Sequence, residues 1–148
     1  YHLFINALVL FFIGSALESG IGKKRFVELF LVSGALGGLG QIAIMTGPES
    51  MIPVVGASGA IMGLLGALTV LAPRLPVLLF FFIPMKLWML TLGYGAIETI
   101  LAFTGALQGI GHVAHLSGLA VGLIYGYRFR QERKNQAGSS YSVHVSRY

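Results

Sequence analysis

The stretch GHVAHLSGLAVGLIYGYRF, residues 111–129, is apolar, contains two histidines and places Gly118, Gly122 and Gly126 at intervals of four. In a helix this spacing brings the three glycines onto one face. A face without side chains lets a second helix approach closely, as in many helix pairs within membranes. His115 precedes Gly118 by three residues and therefore lies on or beside that face. The stretch predicts a membrane helix that carries an imidazole to a close contact between helices.

The composition of the whole chain predicts an integral membrane protein. Its 148 residues are 55% hydrophobic and 10% charged, whereas soluble domains contain about 25% charged residues. A soluble domain of this size could not bury so much apolar surface, but a lipid bilayer accommodates it. The chain has no cysteine, which excludes disulfides, thiolate nucleophiles and cysteine-based metal sites.

The apolar stretches predict an all-α polytopic bundle with five membrane-spanning helices. A shorter stretch, 75–83, is flanked by prolines and is predicted to be an interfacial or re-entrant segment. The basic, polar tail is predicted to be disordered, which divides the chain into a transmembrane domain, 1–130, and a tail, 131–148. The five predicted spans are residues 2–18, 26–45, 58–72, 86–103 and 111–129.

The charges of the connections predict the orientation. If the spans alternate in direction, all ten lysines and arginines fall on one side, and the connections 46–57 and 104–110 on the other side carry none. The positive-inside rule assigns the basic side, and with it the C-terminus, to the cytoplasm. Because the net charge of +5 comes from these short clusters, nucleic-acid binding is not predicted. We expect a multi-pass protein of the cell membrane.

This topology brings polar residues of three helices to one depth. The first, third and fifth spans all begin at the outer face, with His2 and Asn6, Ser58, and His115 near their starts. At about 1.5 Å per residue these side chains lie within one or two turns of the surface. Polar groups that converge inside a bilayer indicate a functional site.

Ser58 has the surroundings of a nucleophile. A serine hydroxyl needs a base to take its proton and donors to stabilise the oxyanion. Gly56 and Gly59 flank Ser58 and would let a substrate carbonyl approach the backbone, and His115 could be the base. The alternatives are a small residue or N-cap at a helix interface for the serine, and a structural hydrogen bond for the histidine.

The remaining polar residues have less specific patterns. His2 and Asn6 are four apart, hence on one face, and could stabilise an oxyanion or simply bond between helices. His112 could form a metal site with His115, but no third ligand pattern accompanies them, so no metal is predicted and His112 is assigned a structural or rim role. Glu98 has no evident partner. Because no acidic residue is expected beside the serine and histidine, they are predicted to act as a dyad.

Taken together, these motifs resemble the rhomboid family of intramembrane serine proteases. The family's His-x-x-x-Asn pattern matches His2 to Asn6, its Gly-x-Ser-Gly motif matches 56–59, and its Ala-His-x-x-Gly-x-x-x-Gly signature matches 114–122. The resemblance extends from residue 2 to about 127. Since the family core has six helices, it implies that this sequence begins at the second.

The resemblance also implies a role for each residue. Ser58 would attack the scissile carbonyl, His115 would act as general base and then general acid, and His2, Asn6 and the Ser58 N–H would form the oxyanion hole. Gly118 and Gly122 would serve helix packing. The substrates would be transmembrane proteins in the lipid bilayer, no metal or organic cofactor is implied, and the oligomeric state stays open.

One position departs from the family pattern. Met62 stands where family members commonly carry an aromatic residue against the catalytic histidine, and its thioether can still contact the imidazole. The alternative function is a catalytically silent relative that binds membrane clients. A transporter is disfavoured because the sequence shows no internal repeat.

Overall fold

The fold consists mainly of helices. The computed structural model describes residues 2–44, 57–79, 82–105 and 110–145, with side chains to residue 136 in the last range. A π-helical turn, Leu10–Gly14, joins the first two helices into one continuous segment. Within the described ranges the elements are α1 His2–Val9, α2 Ser15–Ile21, α3 Lys23–Ile44, α4 Ser58–Leu71, β1 Pro76–Leu79, β2 Ile83–Lys86, α5 Leu87–Thr104 and α6 His112–Val145.

Helix α4 is the centre of the bundle. Its ten consecutive residues 59–68 are all buried, as expected of a helix that is apolar on every side. The surrounding helices turn large apolar side chains outward instead, among them Phe4, Leu39 and Ile100, each at least 60% exposed. Such an exterior suits hydrocarbon and not water. The core therefore lies along α4, and the outer surface of the bundle faces lipid.

Glycine contacts fix the relative directions of the helices. A Cβ added to Gly118 would overlap the backbone of Gly59, and one added to Gly122 would overlap that of Gly63. The offset along the chain is the same for both pairs, so α6 runs parallel to α4. The starts of the two helices therefore lie at the same end of the bundle. On the neighbouring helix α3, Gly37 lies beside Gly59 whereas the earlier Ser33 lies beside Gly63, so α3 runs antiparallel to both.

The membrane-spanning character is clear for part of the chain. Among the described residues, three helical segments are long and apolar enough to cross a bilayer: His2–Ile21, Lys23–Ile44 and Leu87–Thr104. Helix α4 has 14 residues and is about 21 Å long at 1.5 Å per residue, shorter than a hydrocarbon layer of about 30 Å. The protein is thus a helical integral membrane protein, and the count of five spans and the orientation stay predictions.

The segment between α4 and α5 is not helical, so the all-α prediction was wrong at this point. Strands β1 and β2 form an antiparallel hairpin in which Pro76 faces Lys86 and Leu79 faces Ile83. Pro76 and Pro84 are compatible with strands here because each strand of a two-stranded ribbon is an edge strand, where a missing N–H is tolerated. The segment is proline-flanked and too short for a span, as the sequence indicates, but it folds as a hairpin.

The region after residue 130 begins as a continuation of the last helix, and its division from the bundle as a disordered tail stays a prediction. Helix α6 continues through it to Val145. The first residues of the predicted tail, 131–134, are Gln, Glu, Arg and Lys, all good helix formers that allow the helix to continue. Glu132 also lies 3.4 Å from Arg25 near the start of α3. The boundary between bundle and tail is therefore not marked by the end of a helix.

Ser33 gives a prediction about stability. Its side chain is fully buried, and among the described residues its hydroxyl has no hydrogen-bond partner. Because an unsatisfied buried polar group costs roughly 1–3 kcal/mol, we expect Ser33→Ala to leave the thermal unfolding midpoint unchanged or to raise it. The matched control is Ser19→Ala, since the Ser19 hydroxyl donates to the Ala16 carbonyl at 2.9 Å. A clear drop in the midpoint for Ser33→Ala alone would contradict this account.

Candidate active site

Ser58 and His115 are in direct contact. The hydroxyl Oγ of Ser58, at the start of α4, lies 2.6 Å from Nε2 of His115 in the first turn of α6. The imidazole is buried, with 7% of its residue surface exposed, whereas Ser58 is half-buried. A hydroxyl within hydrogen-bonding distance of an imidazole nitrogen can give up its proton to that nitrogen. The pair therefore has the geometry of a nucleophile and its general base.

Close packing holds the first turn of α6 in place. Cβ atoms added to Gly37 and Gly59 would come within 2.9 and 3.1 Å of the Ala114 carbonyl oxygen, so both glycines let this turn lie against α3 and α4. In addition, the N–H of Ala114 donates to the side-chain oxygen of Gln41 at 3.2 Å. This bond satisfies one of the backbone donors left free at a helix start. Gln41 was not identified from the sequence, which shows only that this residue lies near the end of a predicted span.

The structure corrects the prediction for Glu98. The residue is only 5% exposed. Its carboxylate lies against two imidazoles, with Oε1 3.0 Å from Nδ1 of His115 and Oε2 2.6 Å from Nδ1 of His112. The inference that no acidic residue lies beside the pair was wrong, and Glu98, which has no evident partner in the sequence, has two in the structure. Because α5 runs opposite to α6, the end of α5 lies beside the start of α6. Glu98 lies six residues, less than two turns, before the end of α5 at Thr104, and it therefore meets the first turn of α6.

The network assigns the protons of His115. A carboxylate can only accept hydrogen bonds, so Nδ1 of His115 donates its N–H toward Glu98. Nε2 then has no proton in the neutral ring and accepts from Ser58. This is the tautomer that a general base requires.

Tyr94 is the second neighbour of His115 that the sequence did not reveal. Its hydroxyl lies 3.1 Å from Nδ1 of His115, and the two ring centroids are 6.2 Å apart at an interplanar angle of 42°. The aromatic contact with the histidine thus comes from α5, while Met62 is buried in α4. Tyr94 and Glu98 are four residues apart, hence on one helix face, and that spacing is the signal that could have linked them.

The other predicted site residues have mixed positions. In the part of the chain that the structure describes, His2 and Asn6 hydrogen-bond each other, with Nδ2 of Asn6 3.3 Å from Nε2 of His2, and neither bonds to Ser58 or His115. Their role at an oxyanion stays a prediction. Gly56 lies outside the described residues. Across those ranges no group of three or more metal-binding side chains has the geometry to hold an ion.

Known proteins of one family are similar to this chain. The model of the Rhomboid domain family matches residues 1–132. The chain is 32% identical over 150 residues to Rhomboid protein 1, mitochondrial, of Saccharomyces cerevisiae, covering 93% of this chain and 42% of that protein. It is 33% identical over 124 residues to Rhomboid protease GluP of Bacillus subtilis, covering 82% of this chain and 22% of that protein.

A plant relative gives the same result. The chain is 32% identical over 148 residues to RHOMBOID-like protein 12, mitochondrial, of Arabidopsis thaliana, covering 89% of this chain and 43% of that protein. It thus spans less than half the length of each of these three relatives. No solved structure matches it significantly. With the family model matching nine-tenths of its residues and these relatives matching most of its length, the chain belongs to the rhomboid family.

Proposed function

We propose that this chain is the catalytic part of an intramembrane serine endopeptidase that cleaves transmembrane segments of other membrane proteins. The observation that carries the proposal is the 2.6 Å hydrogen bond between Ser58 Oγ and His115 Nε2, held inside a bundle whose exterior is apolar. The relative from Bacillus subtilis named as a rhomboid protease supports the same activity.

The contact between Ser58 and His115 suits acyl transfer. Ser58 Oγ attacks the scissile carbonyl carbon while its proton passes to His115 Nε2. This addition turns the substrate carbonyl into a tetrahedral oxyanion. His115 then gives that proton to the leaving amine, the C–N bond breaks, and an acyl-enzyme on Ser58 remains. In the second half of the cycle, water loses a proton to His115 and attacks the ester carbonyl. The ester C–O bond then breaks, His115 returns the proton to Ser58 Oγ, and the carboxylic acid and free Ser58 are released.

The start of α4 supplies donors for the oxyanion. The first intrahelical bond runs from the N–H of Ile61 to the Ala57 carbonyl, so the N–H groups of Ser58, Gly59 and Ala60 precede the backbone ladder of the helix. A developing negative charge at this helix end is stabilised by those groups. Asn6 and His2 complete the proposed oxyanion hole from α1.

The membrane and its sidedness form part of the proposal. We place the active site toward the outer face and the C-terminus in the cytoplasm, from the distribution of basic residues along the sequence. Two of the three relatives described above are named mitochondrial, so a mitochondrial membrane is the competing location. Fluorescence microscopy of the tagged full-length protein beside cell-membrane and mitochondrial markers distinguishes the two.

The activity is tested by reconstituting the full-length protein in liposomes with single-span substrate proteins. We expect cleavage within the substrate's membrane segment by the wild type and none by Ser58→Ala, because alanine has no nucleophilic oxygen. Ser117→Ala is the matched control, since it removes a serine hydroxyl from the same end of the bundle. A fluorophosphonate probe should label the wild type and not Ser58→Ala. Client binding without cleavage or labelling would favour the catalytically silent alternative.

A further inference from the structure

We propose that Glu98 is a positioning residue that extends the Ser58–His115 pair into a triad, with His112 held on its second oxygen. The inference rests on the proposed protease function. A continuous chain of hydrogen bonds carries it: Ser58 to His115 at 2.6 Å, His115 to Glu98 at 3.0 Å, and Glu98 to His112 at 2.6 Å.

The burial of Glu98 explains why its carboxylate needs both imidazoles as partners. A carboxylate within a membrane bundle loses its hydration, and it persists there only when hydrogen-bond donors replace the water. Each oxygen of Glu98 has one imidazole N–H as its donor. His112 and His115 are three residues apart and therefore lie on one face of α6, so a single carboxylate can reach both.

The carboxylate controls the chemical state of the general base. By accepting from Nδ1 it keeps His115 in the tautomer whose Nε2 can take the serine proton. Once that proton has moved, His115 is an imidazolium, and the negative charge of Glu98 stabilises it without itself taking a proton. Both effects act on the transition state more than on substrate binding, so the loss should be in kcat.

Tyr94 provides the comparison within the same site. Its hydroxyl lies 3.1 Å from the same nitrogen, Nδ1 of His115, so it contacts the imidazole about as closely as Glu98 does. A neutral phenol can orient the ring but does not supply the negative charge that balances an imidazolium. If the charge matters, the loss on removing the carboxylate must exceed the loss on removing the phenol oxygen.

A purely structural role is the competing explanation. Glu98 links α5 to α6 through two hydrogen bonds, and losing them could loosen the bundle without affecting the chemistry. Such a loss would lower the unfolding temperature and the amount of folded enzyme. It would leave the kcat of the folded fraction and the histidine tautomer unchanged.

The first experiment compares Glu98→Gln with the wild type in the reconstituted full-length protein. We expect kcat per folded enzyme to fall roughly 100-fold or more, with KM within about twofold. Glu98→Asp should recover part of the rate because it restores the charge. Tyr94→Phe should cost less than Glu98→Gln, and Glu132→Gln, which removes an exposed carboxylate from the ion pair with Arg25, should retain the wild-type rate. Equal kcat in Glu98→Gln and wild type would overturn the proposal.

The second experiment reads the tautomer directly and does not depend on cleavage. ¹⁵N NMR of histidine-labelled protein, with His115 assigned by its loss in a His115→Asn variant, should show the proton on Nδ1 in the wild type. In Glu98→Gln the amide can donate to Nδ1, so the proton should move to Nε2. An unchanged tautomer would overturn the triad. If Ser58→Ala still cleaves, the protease assignment fails instead, and the tautomer result still decides the role of Glu98.

Discussion

Alanine in place of His115 is expected to lower the cleavage rate by roughly four to six orders of magnitude, as in serine proteases whose catalytic groups act as one unit. Without an imidazole 2.6 Å from its hydroxyl, Ser58 has no acceptor for its proton at neutral pH. The residual rate would come from the oxyanion donors and from substrate binding.

A variant that lacks both side chains tests more sharply whether Ser58 depends on His115. Ser58→Ala/His115→Ala should be no slower than either single variant, because removing one member already disables the other. The measurement is single-turnover cleavage of a single-span substrate, with folded protein quantified by thermal unfolding. If His115→Ala kept more than a tenth of the wild-type rate, or if the two losses multiplied, His115 would not be the base for Ser58.

Alanine in place of Gly118 is expected to impair folding and activity together. A Cβ at this position would overlap the carbonyl group of Gly59 and crowd its Cα, and these backbone atoms cannot rotate away as a flexible side chain can. Overpacking of this kind costs roughly 1–3 kcal/mol or more. Because Gly59 directly follows Ser58, separating α4 from α6 also lengthens the Ser58–His115 contact, and a displacement of about 1 Å can lower the rate roughly 100-fold.

Gly93→Ala is the matched control for Gly118→Ala. Gly93 lies within a helix, α5, and a Cβ added there meets nothing within 4 Å. Alanine at such a position should be neutral or stabilise by roughly 0.5–1 kcal/mol and keep the wild-type cleavage rate. Thermal unfolding in detergent and cleavage at a temperature well below the transition measure both effects. Wild-type behaviour of Gly118→Ala would show that α4 and α6 are not in close backbone contact at Gly118 and Gly59.

The meeting of Ser58 with His115 could be anticipated because it depends on patterns within single helices. The spacing of Gly118 and Gly122 defines a packing face, and the alternation of spans places the starts of the third and fifth helices together. Both inferences need only the period of a helix and the sidedness of charge. The structure contains these helices and the contact, and among the described residues three helical segments are long and apolar enough to cross a bilayer.

The partners of His115 on α5 could not be anticipated in the same way. Tyr94 and Glu98 share a helix face, but the rotation of that face toward α6 is a property of tertiary packing. The expected depth of Glu98 in the membrane was also misleading. Glu98 belongs to a span that runs in the opposite direction, so its distance from the outer face has to be counted back from the end of that span. The hairpin was missed for a related reason: its strands have four residues each, too few for a pattern of alternation to stand out.

If the chain is a protease as proposed, the length of the central helix sets how far a substrate has to bend. A helix of 14 residues, about 21 Å long, leaves roughly 9 Å of a 30 Å hydrocarbon layer uncovered. If the end of α4 reaches one boundary of that layer, Ser58 lies recessed below the other. About six residues of a helical substrate span that depth at 1.5 Å each. A client helix that melts readily over its first six membrane residues, through glycine or proline, would reach the serine, and a rigid poly-leucine helix would pass by uncut.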